Sequence, residues 1–126
     1  DDLDFSNILK SAIQAELPDV EVTATDDGYE GLMLIGELKP QLVILDIKMP
    51  KLDGFQVLEL LRGRKAEQEL KVLVITGYLD PDTKQQLAKT IADNWMDKLT
   101  DIDVMIRTIV AYVRSERPLL QDHSNT

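Results

Sequence analysis

Residues 42–54 read LVILDIKMPKLDG, and this stretch indicates the fold. Its first four residues are all apolar, which is typical of a short strand buried on both faces of a parallel sheet. The run ends at Asp46, and turn-forming residues follow it. A second apolar run, residues 72–75 (VLVI), ends at Thr76 in the same way. We therefore expect two buried strands that each end in a polar side chain.

Helical patterns alternate with strand patterns along the rest of the chain. Apolar residues at three- and four-residue steps predict helices over residues 4–16, 32–38, 55–61 and 102–113, and from about residue 81. Alternation of polar and apolar residues predicts a half-exposed strand over 20–24, and a short strand is expected over 95–99. Asp53 and Gly54 are expected to make the turn that starts the third helix.

This alternation predicts the α/β class, with a doubly wound parallel sheet that carries helices on both faces. Such a sheet begins with a strand, but the sequence opens on Asp1-Asp2 and passes into a helix. We therefore expect the first strand to be missing from residues 1–126 and to precede Asp1. Residues 1–116 are expected to form the domain, with residues 117–126 as a flexible tail or the start of a linker.

The charge balance restricts the classes of partner. The chain has 23 acidic and 14 basic residues, a formal net charge of -9, and no cysteine. Direct binding of nucleic acid is not expected, because it relies on Lys and Arg side chains that neutralise phosphates. No apolar run approaches the length of a membrane helix, so no membrane partner is expected and a cytoplasmic location is indicated. The single histidine, His123, lies in the tail, which argues against a histidine phosphodonor.

Several polar residues stand where an open parallel sheet binds its ligands, at the carboxyl ends of the strands. Asp46, Thr76 and Lys98 have such positions, and Asp1 and Asp2 would follow the missing first strand. Clustered carboxylates repel one another, so a hard divalent cation such as Mg²⁺ is indicated. A carboxylate screened by a metal can attack a phosphoryl group, while a hydroxyl and a lysine stabilise the phosphoryl oxygens.

Four segments in the expected order give this chain a family resemblance. Residues 46–54 resemble the DxxMPxxDG signature of response-regulator receiver domains, the family of CheY. Residues 72–77 resemble the family's strand ending in Thr and a small residue, and residues 94–99 resemble its aromatic-x-x-Lys-Pro segment. The opening acidic pair resembles the family's own. The resemblance covers about residues 1–115 and implies a five-stranded (βα)5 sheet of the flavodoxin/CheY type.

The resemblance implies a phosphoryl-accepting domain of a two-component signalling system. Asp46 would take phosphate from a histidine kinase or a phosphotransfer protein. Mg²⁺ would be bound by Asp1, Asp2, Asp46 and the backbone carbonyl of Lys48. The protein would then be no enzyme beyond catalysing its own phosphorylation and dephosphorylation.

The resemblance also implies a switch. Thr76 would hydrogen-bond the phosphoryl group and Lys98 would pair with it, while Thr76 and Trp95 would move together on phosphorylation. The output face would be the fourth helix, fifth strand and fifth helix of the fold, binding a downstream effector domain or protein and supporting a homodimer on phosphorylation. Lys48 and Tyr78, two residues beyond the phosphoacceptor and the threonine, would tune the lifetime of the phosphoryl group.

Three features depart from the family pattern. Leu99 replaces the usual Pro, whose bond is commonly cis, and a leucine strongly prefers a trans peptide, so the loop carrying Lys98 is expected to differ. Trp95 is larger than the usual Tyr or Phe. The register of the acidic pair is open, because Phe5 aligns better if Asp1 is the second member of the pair.

Other interpretations of the same residues remain open. Asp46 alone is compatible with a turn-capping role, Asp1 with a solvated chain start, and Trp95 with a place in the core. A dehalogenase-type phosphatase is disfavoured, because Lys48 stands where that chemistry needs a second aspartate. The main alternative function is a phosphorylation-independent docking or dimerisation module.

Overall fold

The apolar runs of the sequence form a parallel sheet. The computed structural model describes residues 2–47, 53–67, 69–77 and 79–114, with the backbone alone for residues 2–4, 66 and 67. Its strands are β1 (Leu42–Leu45), β2 (Lys71–Thr76) and β3 (Asn94–Asp97). They lie in the order β1-β2-β3, and both neighbouring pairs are parallel. Because β2 is the middle strand, all its residues after Lys71 are buried, which confirms the predicted doubly buried strand.

Helices join the strands, as parallel pairing requires. The helices of the described residues are α1 (Asp2–Glu16), α2 (Gly28–Leu38), α3 (Gly54–Glu67), α4 (Pro81–Ala88) and α5 (Ile102–Val113). The crossover from β1 to β2 contains α3, and the crossover from β2 to β3 contains α4. The predicted α/β class is therefore confirmed. Among the described residues, no helix has both the length and the apolar character to cross a membrane.

Local chemistry sets the ends of α2. The Asp27 side chain accepts the backbone N–H groups of Tyr29 at 2.9 Å and Glu30 at 3.3 Å, which caps the first turn. At the other end, Lys39 adopts a left-handed conformation (φ 47°), and its N–H donates to the Ile35 carbonyl. The chain leaves the helix just before Pro40, as the sequence predicts.

The chain divides into two compact units, residues 1–26 with 101–126, and residues 27–100. In the first unit, α1 packs against α5. The second unit contains the sheet with α2, α3 and α4, and α2 packs against α3. We call its buried apolar cluster the sheet core; its members are Ile35, Leu45, Ile47, Val57, Leu58, Leu61, Leu70, Val72, Val74 and Leu87.

The strand predicted over residues 20–24 is wrong. These residues have no regular structure; Val22 is only half-buried, and Ala24 is exposed. Side-chain alternation is a local property, whereas a strand also needs a neighbour for its N–H and C=O groups. In the sheet order that the resemblance implies, 2-1-3-4-5, the second strand lies beside the first strand alone. Within the described residues no strand precedes β1, so residues 20–24 have no such ladder partner among them.

The last predicted strand, over residues 95–99, ends earlier than expected. β3 stops at Asp97 because a turn begins there: the Thr100 N–H donates to the Asp97 carbonyl at 2.9 Å. Lys98 therefore lies in the turn and not in the strand. The predicted domain end at residue 116 and the tail over 117–126 fall outside the described residues and stay predictions.

Candidate functional site

Asp46 is the first residue beyond β1, at the carboxyl edge of the sheet. The residues on both sides of it, Leu45 and Ile47, are buried in the sheet core. Asp46 directly follows Leu45, which forms the last pair of the β1–β2 register with Val74. An apolar strand directly followed by a carboxylate thus places the charge at the rim of the core, where the side chain keeps 20% of its exposure.

Lys98 reaches Asp46 from the turn after β3. Its Nζ lies 2.7 Å from Asp46 Oδ2, and the two side chains are 19% and 20% exposed. For a pair this far out of water, the cost of desolvation offsets much of the Coulomb attraction. The ion pair is therefore weak evidence for stability. It does show that Asp46 and Lys98, which are 52 positions apart in sequence, are in contact as predicted.

Thr76 is the last residue of β2 and is completely buried. It is paired in register with Asp97, and its carbonyl accepts the Lys98 N–H at 3.0 Å. Asp46, Thr76 and Lys98 thus stand at the carboxyl ends of β1, β2 and β3. The prediction that these three residues share one edge of the sheet agrees with the strand order and registers.

The turn that carries Lys98 is built from hydrogen bonds. The Leu99 N–H donates to Asp97 Oδ1 at 2.8 Å, inside the turn that Thr100 closes on the Asp97 carbonyl. No peptide bond among the described residues is cis, so the bond before Leu99 is trans, as predicted. The Leu99 side chain is 91% exposed. The sequence predicts no role for Asp97; an Asp at the first position of a turn is the signal that points to it.

Asp53 and Gly54, from the end of the signature, connect the site to α3. Asp53 Oδ1 accepts the Phe55 N–H at 2.9 Å, and this cap starts the helix as expected. Gly54 donates its N–H to the Ile47 carbonyl at 3.2 Å, and a Cβ on it would lie 2.2 Å from Ile47 Cα. No described glycine has a positive φ, so glycine is needed here for the close approach and not for its backbone conformation. α3 thereby begins against the residue that follows Asp46.

Trp95 is partly buried and packs against the sheet core. It lies in β3, paired in register with Val74, and its backbone N–H donates to Asn94 Oδ1 at 2.8 Å. Both predicted roles, core residue and switch residue, are compatible with this half-buried position. Its movement on phosphorylation stays a prediction.

Other predicted site residues fall outside the described part of the chain. These are Asp1, the side chain of Asp2, Lys48 and Tyr78. Within the described residues, no group of three or more Asp, Glu, His or Cys side chains is clustered to hold a metal ion. Asp46, the one described member of the predicted ligand set, presents a partly exposed carboxylate, a hard oxygen ligand of the kind that Mg²⁺ takes.

A second polar cluster lies at the opposite, amino-terminal end of the strands. Lys65 Nζ contacts Asp93 Oδ2 at 2.9 Å and donates to the Leu70 carbonyl at 2.8 Å. Asp93 Oδ2 accepts the Val72 N–H at 2.7 Å, and the Asp93 N–H donates to the Val72 carbonyl at 2.8 Å. This cluster ties the end of α3 to the start of β2, far along the strands from Asp46, and we assign it to the stability of the fold.

Comparisons with known proteins agree with the fold. The family model described as "Response regulator receiver domain" matches residues 1–110. A probable chemotaxis protein CheY of Rhizobium etli is 30% identical over 111 residues, which cover 88% of this chain and 86% of that protein. The DNA-binding regulator RpaA of Synechocystis sp. is 31% identical over 103 residues. That match covers 82% of this chain and 43% of RpaA, and the matches to two further relatives cover 29% and 41% of the length of those proteins.

Solved structures give the same result. The response regulator TrrA of Thermotoga maritima, determined in complex with Mg²⁺-BeF, is 25% identical with a TM-score of 0.74, covering 89% of this chain and 92% of that one. A Francisella response regulator receiver domain is 26% identical with a TM-score of 0.75, covering 92% and 93%. A family model that covers most of the chain, with the Asp46–Lys98 pair at the carboxyl edge of a parallel sheet, leads to one conclusion. The chain belongs to the response regulator receiver domains of two-component systems.

Proposed function

We propose that this receiver domain takes a phosphoryl group from a phosphohistidine donor onto Asp46. The observation that carries the proposal is the 2.7 Å contact between Lys98 Nζ and Asp46 Oδ2 at the edge of the sheet where ligands bind. A lysine held on the carboxylate is also positioned for a phosphoryl group bonded to that carboxylate. The donor would be a histidine kinase or a phosphotransfer protein.

In the proposed step, an Asp46 carboxylate oxygen attacks phosphorus as the P–N bond to the donor histidine breaks. The electron pair of that bond stays on the imidazole nitrogen, and an acyl phosphate remains on Asp46. Negative charge thereby moves outward to the phosphoryl oxygens, and the Lys98 ammonium follows it. Thr76, completely buried at the end of β2, would donate its hydroxyl to one of those oxygens.

We infer that Mg²⁺ is required, with Asp46 as one ligand. When bound, the ion would supply neutralisation of the charge shared by the carboxylate and the phosphoryl group. Asp1, Asp2 and the backbone carbonyl of Lys48 remain the further predicted ligands. The complex of TrrA with Mg²⁺-BeF supports this proposal by likeness. Chelation of divalent ions is expected to abolish phosphorylation and to leave the fold in place.

Intact mass after incubation with Mg²⁺ and acetyl phosphate tests the proposal. The wild type is expected to gain about 80 Da, one phosphoryl group, and Asp46→Asn to gain nothing. Asp53→Asn is the matched control, since it removes a nearby carboxylate but keeps the oxygen that caps α3. A folded wild-type protein that gains no mass would instead favour the phosphorylation-independent docking module.

The proposed output is a shift between two packings of one fold. Phosphorylation would draw Thr76 toward Asp46, let Trp95 follow, and change the predicted output face that binds an effector or a second copy. Trp95 is the only tryptophan, so fluorescence reports on this position alone. An emission spectrum that is unchanged on phosphorylation would refute the switch and leave the phosphoacceptor role intact. We propose no reaction beyond self-phosphorylation and self-dephosphorylation.

A further inference from the structure

The turn Asp97–Thr100 fixes the residue that contacts Asp46. Two hydrogen bonds converge on Asp97: its carbonyl accepts the Thr100 N–H at 2.9 Å, and its Oδ1 accepts the Leu99 N–H at 2.8 Å. A four-residue turn with Asp at the first position, whose side chain binds a backbone N–H two residues on, is a self-supporting unit. Lys98 occupies the second position of that turn.

Lys98 is held on each side by the backbone. On its amino side, its own N–H donates to the Thr76 carbonyl at 3.0 Å; on its carboxyl side, the next N–H belongs to Leu99 and is bound by Asp97. The Lys98 stem runs beside Gly77, where an added Cβ would lie 3.8 Å from Lys98 Cδ. The direction in which Lys98 leaves the backbone is therefore determined by the turn, and its Nζ reaches Asp46 at 2.7 Å.

Packing of Leu99 does not supply this constraint. Its side chain is 91% exposed, so it contributes little burial to the turn, and its peptide bond is trans. Proline, the usual residue here in the motif that this segment resembles, has no N–H and could not make the bond to Asp97. The hydrogen bond is possible because the residue at this position is not a proline.

We propose that Asp97 is a positioning residue for phosphoryl transfer, which orients Lys98 through the Leu99 N–H in place of the constraint that a proline would give. This inference rests on the proposed phosphorylation of Asp46. Asp97 touches neither the phosphoryl group nor Asp46 in the proposed step; it acts only by holding the turn.

The test compares Asp97→Ala with Asp97→Asn in the full-length protein. Both changes remove the same charge, but only Asn keeps an oxygen that accepts the Leu99 N–H. With acetyl phosphate and Mg²⁺, Asp97→Ala is expected to lower the saturating phosphorylation rate by roughly three- to tenfold, the equivalent of one hydrogen bond, with little change in the half-saturating concentration. Asp97→Asn should stay within about twofold of the wild type. Asp101→Ala, which removes the cap of α5, is the control for charge and for general destabilisation.

Amide exchange at Leu99 gives a readout that does not depend on phosphorylation. The Leu99 amide should exchange faster in Asp97→Ala than in the wild type or in Asp97→Asn. In a Leu99→Pro background the N–H is already absent, so Asp97→Ala should produce no further loss of rate; a double-mutant cycle measures this directly.

Two outcomes would overturn the inference: an unchanged rate in Asp97→Ala, or a rate in Asp97→Asn as low as in Asp97→Ala, which would assign the effect to charge. Failure of the proposed function has a different signature. There the wild type itself gains no phosphoryl group, or Asp46→Asn still does, whatever the exchange rate at Leu99.

Discussion

A Gly54→Ala substitution is expected to destabilise the junction between Asp46 and α3 more than the same substitution at Gly36, Gly63 or Gly77 would destabilise its own surroundings. The new Cβ would lie 2.2 Å from Ile47 Cα and 2.8 Å from Ile47 Cβ. The nearest atom belongs to the backbone, so no side-chain rotation can relieve the contact. Either α3 or the segment after β1 must move by more than an ångström.

The magnitude follows from the two interactions that such a movement changes. Overpacking of a buried site costs about 1–3 kcal/mol. Loss of the 3.2 Å hydrogen bond from the Gly54 N–H to the Ile47 carbonyl adds about 0.5–1.5 kcal/mol. We expect a total loss of about 2–4 kcal/mol in the free energy of unfolding. For a domain of this size that lowers Tm by roughly 6–15 °C.

Gly63→Ala is the matched control in the same helix. A Cβ on Gly63 would meet nothing within 4 Å, so the helix-forming tendency of alanine should raise stability by about 0.5–1 kcal/mol. Urea unfolding of both variants measures the difference. Phosphorylation of Gly54→Ala by acetyl phosphate should also be slowed, because Ile47 directly follows Asp46. Equal stabilities of the two variants would refute the steric argument for the glycine of the signature.

The remaining predictions concern contacts in which Asp46 takes no part. Lys65→Met should lower the free energy of unfolding by about 1–3 kcal/mol, because it removes the cation that pairs with the quarter-exposed Asp93 carboxylate. Urea unfolding measures this loss, and an unchanged midpoint would refute a stabilising role of the ion pair. Gly36→Ala should change stability by less than about 1 kcal/mol, since its Cβ meets the movable guanidinium of Arg64 at 2.8 Å; a large loss of Tm would contradict this. Asp53→Ala should cost about 1 kcal/mol in the same urea assay and Asp53→Asn almost nothing; equal losses would exclude the capping role.

Both strands were predictable from their apolar runs, since residues 42–45 match β1 and residues 72–75 lie within β2. The predicted burial on both faces is confirmed for β2 alone, because in β1 only Leu45 is buried and the other three residues are half-buried. Asp46 was predictable because it lies just beyond the strand end, where its side chain is 20% exposed, whereas Thr76 at the end of β2 is completely buried. Asp46 and Lys98 meet, although the sequence alone gives no distance between them.

Residues 20–24 show where local patterns fail. Their alternation of apolar and polar residues is what a strand with one buried face would show, but the strand itself depends on hydrogen bonds to a second segment. That segment is chosen by topology and not by the residues concerned. The same limit applies to Gly54: its sequence position indicates a turn, whereas the need for glycine arises from the close approach of Ile47, seven residues earlier in the sequence.

Leu99 stands where the family motif usually has proline, yet Lys98 still contacts Asp46. The absence of proline predicts an altered loop, and β3 does end in a trans turn. The sequence could not predict that the freed N–H of Leu99 would find Asp97, because an Asp preceding a lysine in a strand pattern is most simply solvated. Once the turn is formed, the two residues act together: Leu99 supplies the donor, Asp97 supplies the acceptor, and Lys98 between them reaches Asp46. Leu99→Pro should therefore remove the N–H that Asp97 accepts. In that background Asp97→Ala should cause no further loss of phosphorylation rate.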